Sequence, residues 1–252
     1  MRNYFRKLAG SERSETADRH LAYFLTFVAG AANAGGFMAV QQYTSHMSGI
    51  VSAMADNFVL GRTTFVLAGL GAFLSFVAGA GCSAILVNWG RRARVQSEYA
   101  LPLILEAALL AAFGLFGPFL AQKEWFPVPV TVALLCFIMG LQNAIITKLS
   151  QSRIRTTHIT GLVTDMGIEL GKLFYVNSPS AKPGLPHVRA DRAKLWLLSS
   201  LVGLFFSGGV LGAIAFHAIG FPAAILLALV VLVLAIMPVL DDVDAYFRQQ
   251  RR

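Results

Sequence analysis

TSHMSG occupies Thr44–Gly49 and TTHITG occupies Thr156–Gly161. Both set a histidine between hydroxyl residues and follow it, three positions later, with glycine. The first lies close to very apolar stretches and the second just beyond one. A polar hexapeptide written twice beside lipid-type segments points to one polar element in each half of a duplicated membrane fold.

The match runs outward from the hexapeptides. Asn33-Ala34 precedes the first copy and Asn143-Ala144 the second; Leu60-Gly61 and Leu170-Gly171 follow them. Gly71, Ser75 and Gly79 form a small-xxx-small ridge, and so do Ser199, Gly203 and Ser207, at a constant offset of 128. Such ridges let helix backbones approach closely in lipid, where packing drives association.

Composition agrees with a membrane setting. The 252 residues are 56% hydrophobic and only 13% charged, against about 25% charged in a soluble domain; mean hydropathy is +0.63. A bilayer core needs roughly 20 apolar residues as helix. Six runs qualify: Leu21–Val40, Thr63–Trp89, Ala100–Ala121, Val128–Leu149, Leu195–His217 and Phe221–Leu240. Of 21 Lys and Arg residues, 19 fall on one side of this arrangement and 2 on the other. The positive-inside rule then puts both termini in the cytoplasm. The net charge of +8 marks topology, so no nucleic-acid partner is implied. Cys82 and Cys136 lie in apolar runs and form neither a disulfide framework nor a metal-ligand cluster.

The fold expected is therefore an all-α polytopic membrane protein, six transmembrane helices in two inverted three-helix repeats. Residues 1–20 form a cytoplasmic tail, 21–121 the first repeat, 128–240 the second with a cytoplasmic loop at about 150–194, and 241–252 a cytoplasmic C-terminal tail. Each hexapeptide leads into a run too short to span, Ile50–Gly61 and Leu162–Gly171. Such runs are interfacial or belong to re-entrant, broken helices. Inverted repeats with interrupted helices place solute sites at the repeat interface.

Candidate substrate-binding residues are His46, Ser48, Gly49, His158, Thr160, Gly161, Asn33 and Asn143. Ser48 and Thr160 stand where an N-cap hydroxyl starts a helix, and Gly49 and Gly161 permit close backbone approach. A helix N-terminus offers unpaired N–H groups to a polar oxygen or anion, and histidine is a residue whose charge can change near neutral pH. The opposing view makes them loop histidines at structural turns, with the asparagines as interhelical glue. Glu106, inside the third span, is a candidate for proton or ion coupling, with Asp56, Asp165 and Glu169 on the short helices. Asp165 and Glu169 share a face at i, i+4. Because the acids favour cations or protons, the sign of the solute stays open.

At the Asn33 region, SHMSG (45–49), GLQNA (140–144) and RTTHITG (155–161), the chain resembles the YoaK-type family of uncharacterised bacterial inner-membrane proteins. The family pattern Met-Thr-Gly-Asn reads Met47-Ser48-Gly49-Ile50 here. The resemblance implies a multi-pass inner-membrane protein and brings no substrate or reaction. A secondary transporter or channel for a small polar or ionic solute fits the duplicated motif. A membrane-embedded enzyme using His and carboxylates is the alternative, without a nucleophile constellation or HExxH motif, and a membrane scaffold is a third. No catalytic residue, metal or cofactor is expected. The partners expected are the lipid bilayer and a small solute; a homo-oligomer is left open.

Overall fold

The computed structural model describes residues 15–95, 97–121, 130–149, 158–177 and 187–250. Over these the chain is all-helical: α1 (Glu15–Val40), α2 (Met47–Val59), α3 (Thr63–Ala93), α4 (Ala100–Ala121), α5 (Val130–Leu149), α6 (Ile159–Phe174), α7 (Arg192–Ile219) and α8 (Ala223–Gln250). Six of them, all but α2 and α6, are long and apolar enough to cross a membrane. They coincide with the six runs read from hydropathy; Val128, where the fourth run was expected to begin, lies outside the described residues. Beyond the sixth span, which ends at Leu240, α8 continues as helix to Gln250.

The spanning helices pack in three principal pairs: α1 with α7, α3 with α5, and α4 with α8. The short helix α2 lies against α3, and α6 against α7. Every principal pair therefore joins one half of the chain to the other.

Glycines make two of these pairs possible. A Cβ on Gly30 of α1 would fall 2.0 Å from the Phe205 carbonyl oxygen of α7, and one on Gly208 of α7 would fall 2.1 Å from that of Phe27. In the other pair, a Cβ on Gly79 of α3 would fall 2.0 Å from the Phe137 carbonyl oxygen, and one on Gly140 of α5 would fall 2.0 Å from that of Phe76. Backbone rests on backbone at all four places, as close packing by small residues allows. The two sets correspond residue for residue, 110 positions apart between α1 and α5 and 129 apart between α3 and α7. The offset of 128 was thus one residue short. Gly208, buried against α1, is the counterpart of Gly79, while Gly203 meets nothing within 4 Å. Small residues on either face of a helix look alike in sequence; only the approaching carbonyl distinguishes them.

The main core draws on all six spanning helices, with Leu25, Leu103, Phe113, Met139, Ile145, Leu201 and Val231 buried. A smaller apolar cluster of Ile50, Ala72, Val132 and Cys136 seats α2 against α3 and α5.

Candidate functional site

The first hexapeptide is positioned from α1. Asn33 accepts hydrogen bonds at Oδ1 from the Ser45 backbone N–H (3.3 Å) and the Ser45 hydroxyl (2.9 Å). Gln41 takes a left-handed backbone conformation (φ 55°) just after α1 ends, and Tyr43 stacks on Phe37 with ring centroids 4.6 Å apart. These contacts fold the chain back so that α2 starts beside α1.

His46, not Ser48, is the N-cap of α2, and His158, not Thr160, is the N-cap of α6. The hydroxyl residues sit one position inside the first turn. Ile50 N–H donates to the His46 carbonyl (3.1 Å) and Leu162 N–H to that of His158 (3.0 Å). Neither histidine side chain caps its helix. The first-turn N–H groups therefore keep the positive end of each helix unscreened by a capping side chain.

The His-x-x-Gly spacing has a steric cause. A Cβ on Gly49 would lie 2.2 Å from Cδ2 of His46, and one on Gly161 would lie 3.1 Å from Nδ1 of His158. Each imidazole rests on the first turn of its own helix, in space that any larger residue would take.

Thr156 and Thr157 lie outside the described residues; the described parts of both hexapeptides open on one cavity of about 830 Å3. Its walls include Asn33 and Asn143, His46 and His158, Met47 and Ile159, Ser48 and Thr160, and Phe76 and Phe205, together with Tyr43, Ser45 and Thr147. Six of the eight residues expected to bind solute are in this wall, and Gly49 and Gly161 lie beneath the histidine rings. The aromatic pair Phe76 and Phe205 was missed. The signal lay in the repeat register, since both are bulky residues at the 129-residue offset.

The four carboxylates expected to couple ions lie elsewhere. Glu106, almost fully buried, accepts a hydrogen bond from Gln142 Nε2 at 2.8 Å. Glu106 Oε2 and Gln142 Oε1 are buried without a hydrogen-bond partner. This pair joins α4 to α5, and neither residue lines the cavity. Asp56 is exposed on α2. Asp165 pairs with Lys194 at 3.6 Å. Glu169 is buried, accepts the Asp191 backbone N–H (3.0 Å), and pairs with Lys172 (2.9 Å) and Lys194 (3.6 Å). Asp191 is the N-cap of α7, accepting from the Lys194 N–H at 3.0 Å. Asp165 and Glu169 thus bind α6 to the start of α7. Among the described residues, no three His, Cys, Asp or Glu side chains are grouped to hold a metal.

The Asp191 N–H, with the Lys172 ammonium beside it, holds the Glu169 carboxyl below the usual carboxylate range. Its stabilising contribution is full above the unfolded value of about 4.3 and is lost as pH falls through the lowered folded value. Glu169→Gln is expected to melt below the wild type at pH 7, with the two melting temperatures converging towards pH 3. Curves that stay parallel over this range would contradict the role given to Glu169.

The profile of a family described as Protein of unknown function (DUF1275) matches residues 21–237, from within the first span to within the sixth. The chain belongs to that family. This DUF1275 member is also 28% identical over 152 residues to Nucleobase-ascorbate transporter 1 of Arabidopsis thaliana. The matched stretch is 58% of this chain and 28% of the plant protein, so the DUF1275 chain spans little more than a quarter of that relative. No solved structure matches. With six helices long and apolar enough to cross a membrane, the chain is an integral membrane protein, and neither comparison points to an enzyme family.

Proposed function

We propose that the protein is a secondary transporter or channel for a small polar or ionic solute, bound in the cavity between α2 and α6. The observation that carries this reading is the lining. Four pairs of side chains (Asn33 and Asn143, His46 and His158, Ser48 and Thr160, Phe76 and Phe205) line it with one member from each half of the chain. A purely structural turn motif has no need to bring its two copies onto one cavity. The plant relative is named a transporter, which supports the same class.

The reading includes an inverted repeat, residues 21–121 against 128–240, related by a pseudo-two-fold axis in the membrane plane. It is supported by the three-span length of each half, by the exchange of partners between α1·α7 and α3·α5, and by the reciprocal glycine contacts. In this reading Asn33, Asn143, His46, His158, Ser48 and Thr160 meet the solute. Gly49 and Gly161 seat the histidines, and Glu106, buried within a spanning helix, is the coupling candidate. The finer YoaK-type assignment, with both termini on the cytoplasmic side of a bacterial inner membrane, belongs to the same proposal. In a cysteine-free background, Arg62→Cys should react with an impermeant reagent added outside cells, and His187→Cys should not. The opposite pattern would invert the orientation.

Function is tested by reconstitution. Proteoliposomes incubated with a small-metabolite extract should accumulate at least one solute above protein-free vesicles, as read by mass spectrometry of the lumen. Ser48→Trp, which fills the cavity, should abolish that accumulation. Identical lumen contents with and without protein would reject the reading.

A further inference from the structure

The chemistry of the cavity wall has a sign. Among the described residues, no Asp or Glu lines it, and no Lys or Arg either. The acids that left the solute's charge open in sequence are engaged or turned away: Glu106 with Gln142, Asp165 and Glu169 with lysines, Asp56 on an exposed surface. What remains at the wall is neutral side chains and the first turns of α2 and α6. Two helices begin there without side-chain caps, and each helix N-terminus carries roughly half a positive charge on its unpaired N–H groups.

Asn33 supplies a second, independent indication. It is nine-tenths buried, with 9% relative exposure, and lines the cavity. Its Oδ1 is taken by Ser45, while its Nδ2 has no partner among the described residues. An amide donor left this way on a cavity wall is open to an acceptor from the occupant. The size of the space, about 830 Å3, is that of a site for an organic molecule and far exceeds a bare inorganic ion. Phe76 and Phe205 offer carbon surface to match.

We propose that this cavity takes a small organic anion, its acceptor oxygens held by the opening turns of α2 and α6 and by the Asn33 amide, its carbon body against Phe76 and Phe205. The proposal rests on the cavity being the solute site and names the class of solute.

The test compares three probes of one shape on the purified full chain: benzoate, benzamide and benzylammonium, each titrated by thermal shift and calorimetry. Benzoate should bind at least tenfold more tightly than either of the others. Ser48→Asp places a negative charge in the first turn of α2, where an acidic residue favours the helix, so this variant keeps its fold. It should weaken benzoate at least tenfold, and by a clearly larger factor than it weakens the uncharged benzamide. Thr160→Asp should do the same from α6. Equal or tighter binding of benzamide or benzylammonium would overturn the anion assignment while leaving a solute cavity in place. Benzoate binding unchanged in both Asp variants would overturn it too, as would stabilisation matched by sodium chloride alone or no binding of benzoate. The metabolite-uptake experiment judges the transporter reading separately, because it fixes no class of solute.

Discussion

Gly30→Ala is expected to cost at least about 3 kcal/mol and to leave little folded protein in detergent, the upper end of what overpacking does. The added methyl would stand 2.0 Å from the Phe205 carbonyl oxygen, where the obstacle is backbone and no rotamer change relieves it. The α1–α7 contact must open, and in lipid that contact is made largely of packing. Gly79→Ala, Gly140→Ala and Gly208→Ala meet the carbonyls of Phe137, Phe76 and Phe27 at almost the same distances and should fail to a similar degree. Gly203→Ala is the control. Its Cβ meets nothing within 4 Å, so the better helix propensity of alanine, worth up to about 1 kcal/mol, should leave the protein unchanged or slightly more stable. The measurement is the folded fraction by size-exclusion chromatography, with melting curves where protein survives. Normal folding of all four close-contact variants would refute the helix packing described above.

Glu106→Ala should be the most damaging change to a polar side chain. It would strand the Gln142 amide, which already has a buried oxygen without a partner, at about 1–3 kcal/mol. It would also open a void in the α4–α5 contact, for a combined loss of about 2–5 kcal/mol on the scale of large-to-small core changes. Glu106→Gln keeps the volume and supplies a carbonyl to accept from Gln142 Nε2, so its melting temperature should stay close to wild type. If Glu106→Gln folds normally yet abolishes solute accumulation, the carboxyl serves function and not only packing. If Glu106→Ala melts like wild type, the pair holds nothing together.

Much of the architecture was legible because hydropathy is a property of single segments. Six apolar runs long enough to cross a bilayer were visible without knowing any contact, and so were two runs too short to do so. The repeated hexapeptide needed only comparison of the chain with itself. What escaped depended on partners distant in sequence. Ser48 and Thr160 look like N-caps, yet the histidines hold that place because glycine three residues on makes room for each ring. Asp165 and Glu169 share a helix face as their spacing requires, but their role was hidden until Lys194 and the Asp191 N–H arrived from α7. Phe76 and Phe205 are two among 19 phenylalanines, and nothing local sets them apart. That both hexapeptides border one cavity is a matter of depth and tilt, which no pattern of residue types records.

The pairing of α1 with α7, α3 with α5 and α4 with α8 also bears on how the chain is made. Gly30 leaves the ribosome 175 residues before Phe205, the residue it packs against. At synthesis rates of about 5–20 residues per second, that is a delay of roughly 9–35 s. During it, α1 sits in the membrane with its glycine face unmatched, and α4 waits in the same way for α8. Neither half can complete its packing before the other is synthesised, so insertion and folding are separate events in time. Any factor that shields polar or glycine-rich helix faces in the bilayer during that interval would govern the yield of the finished protein.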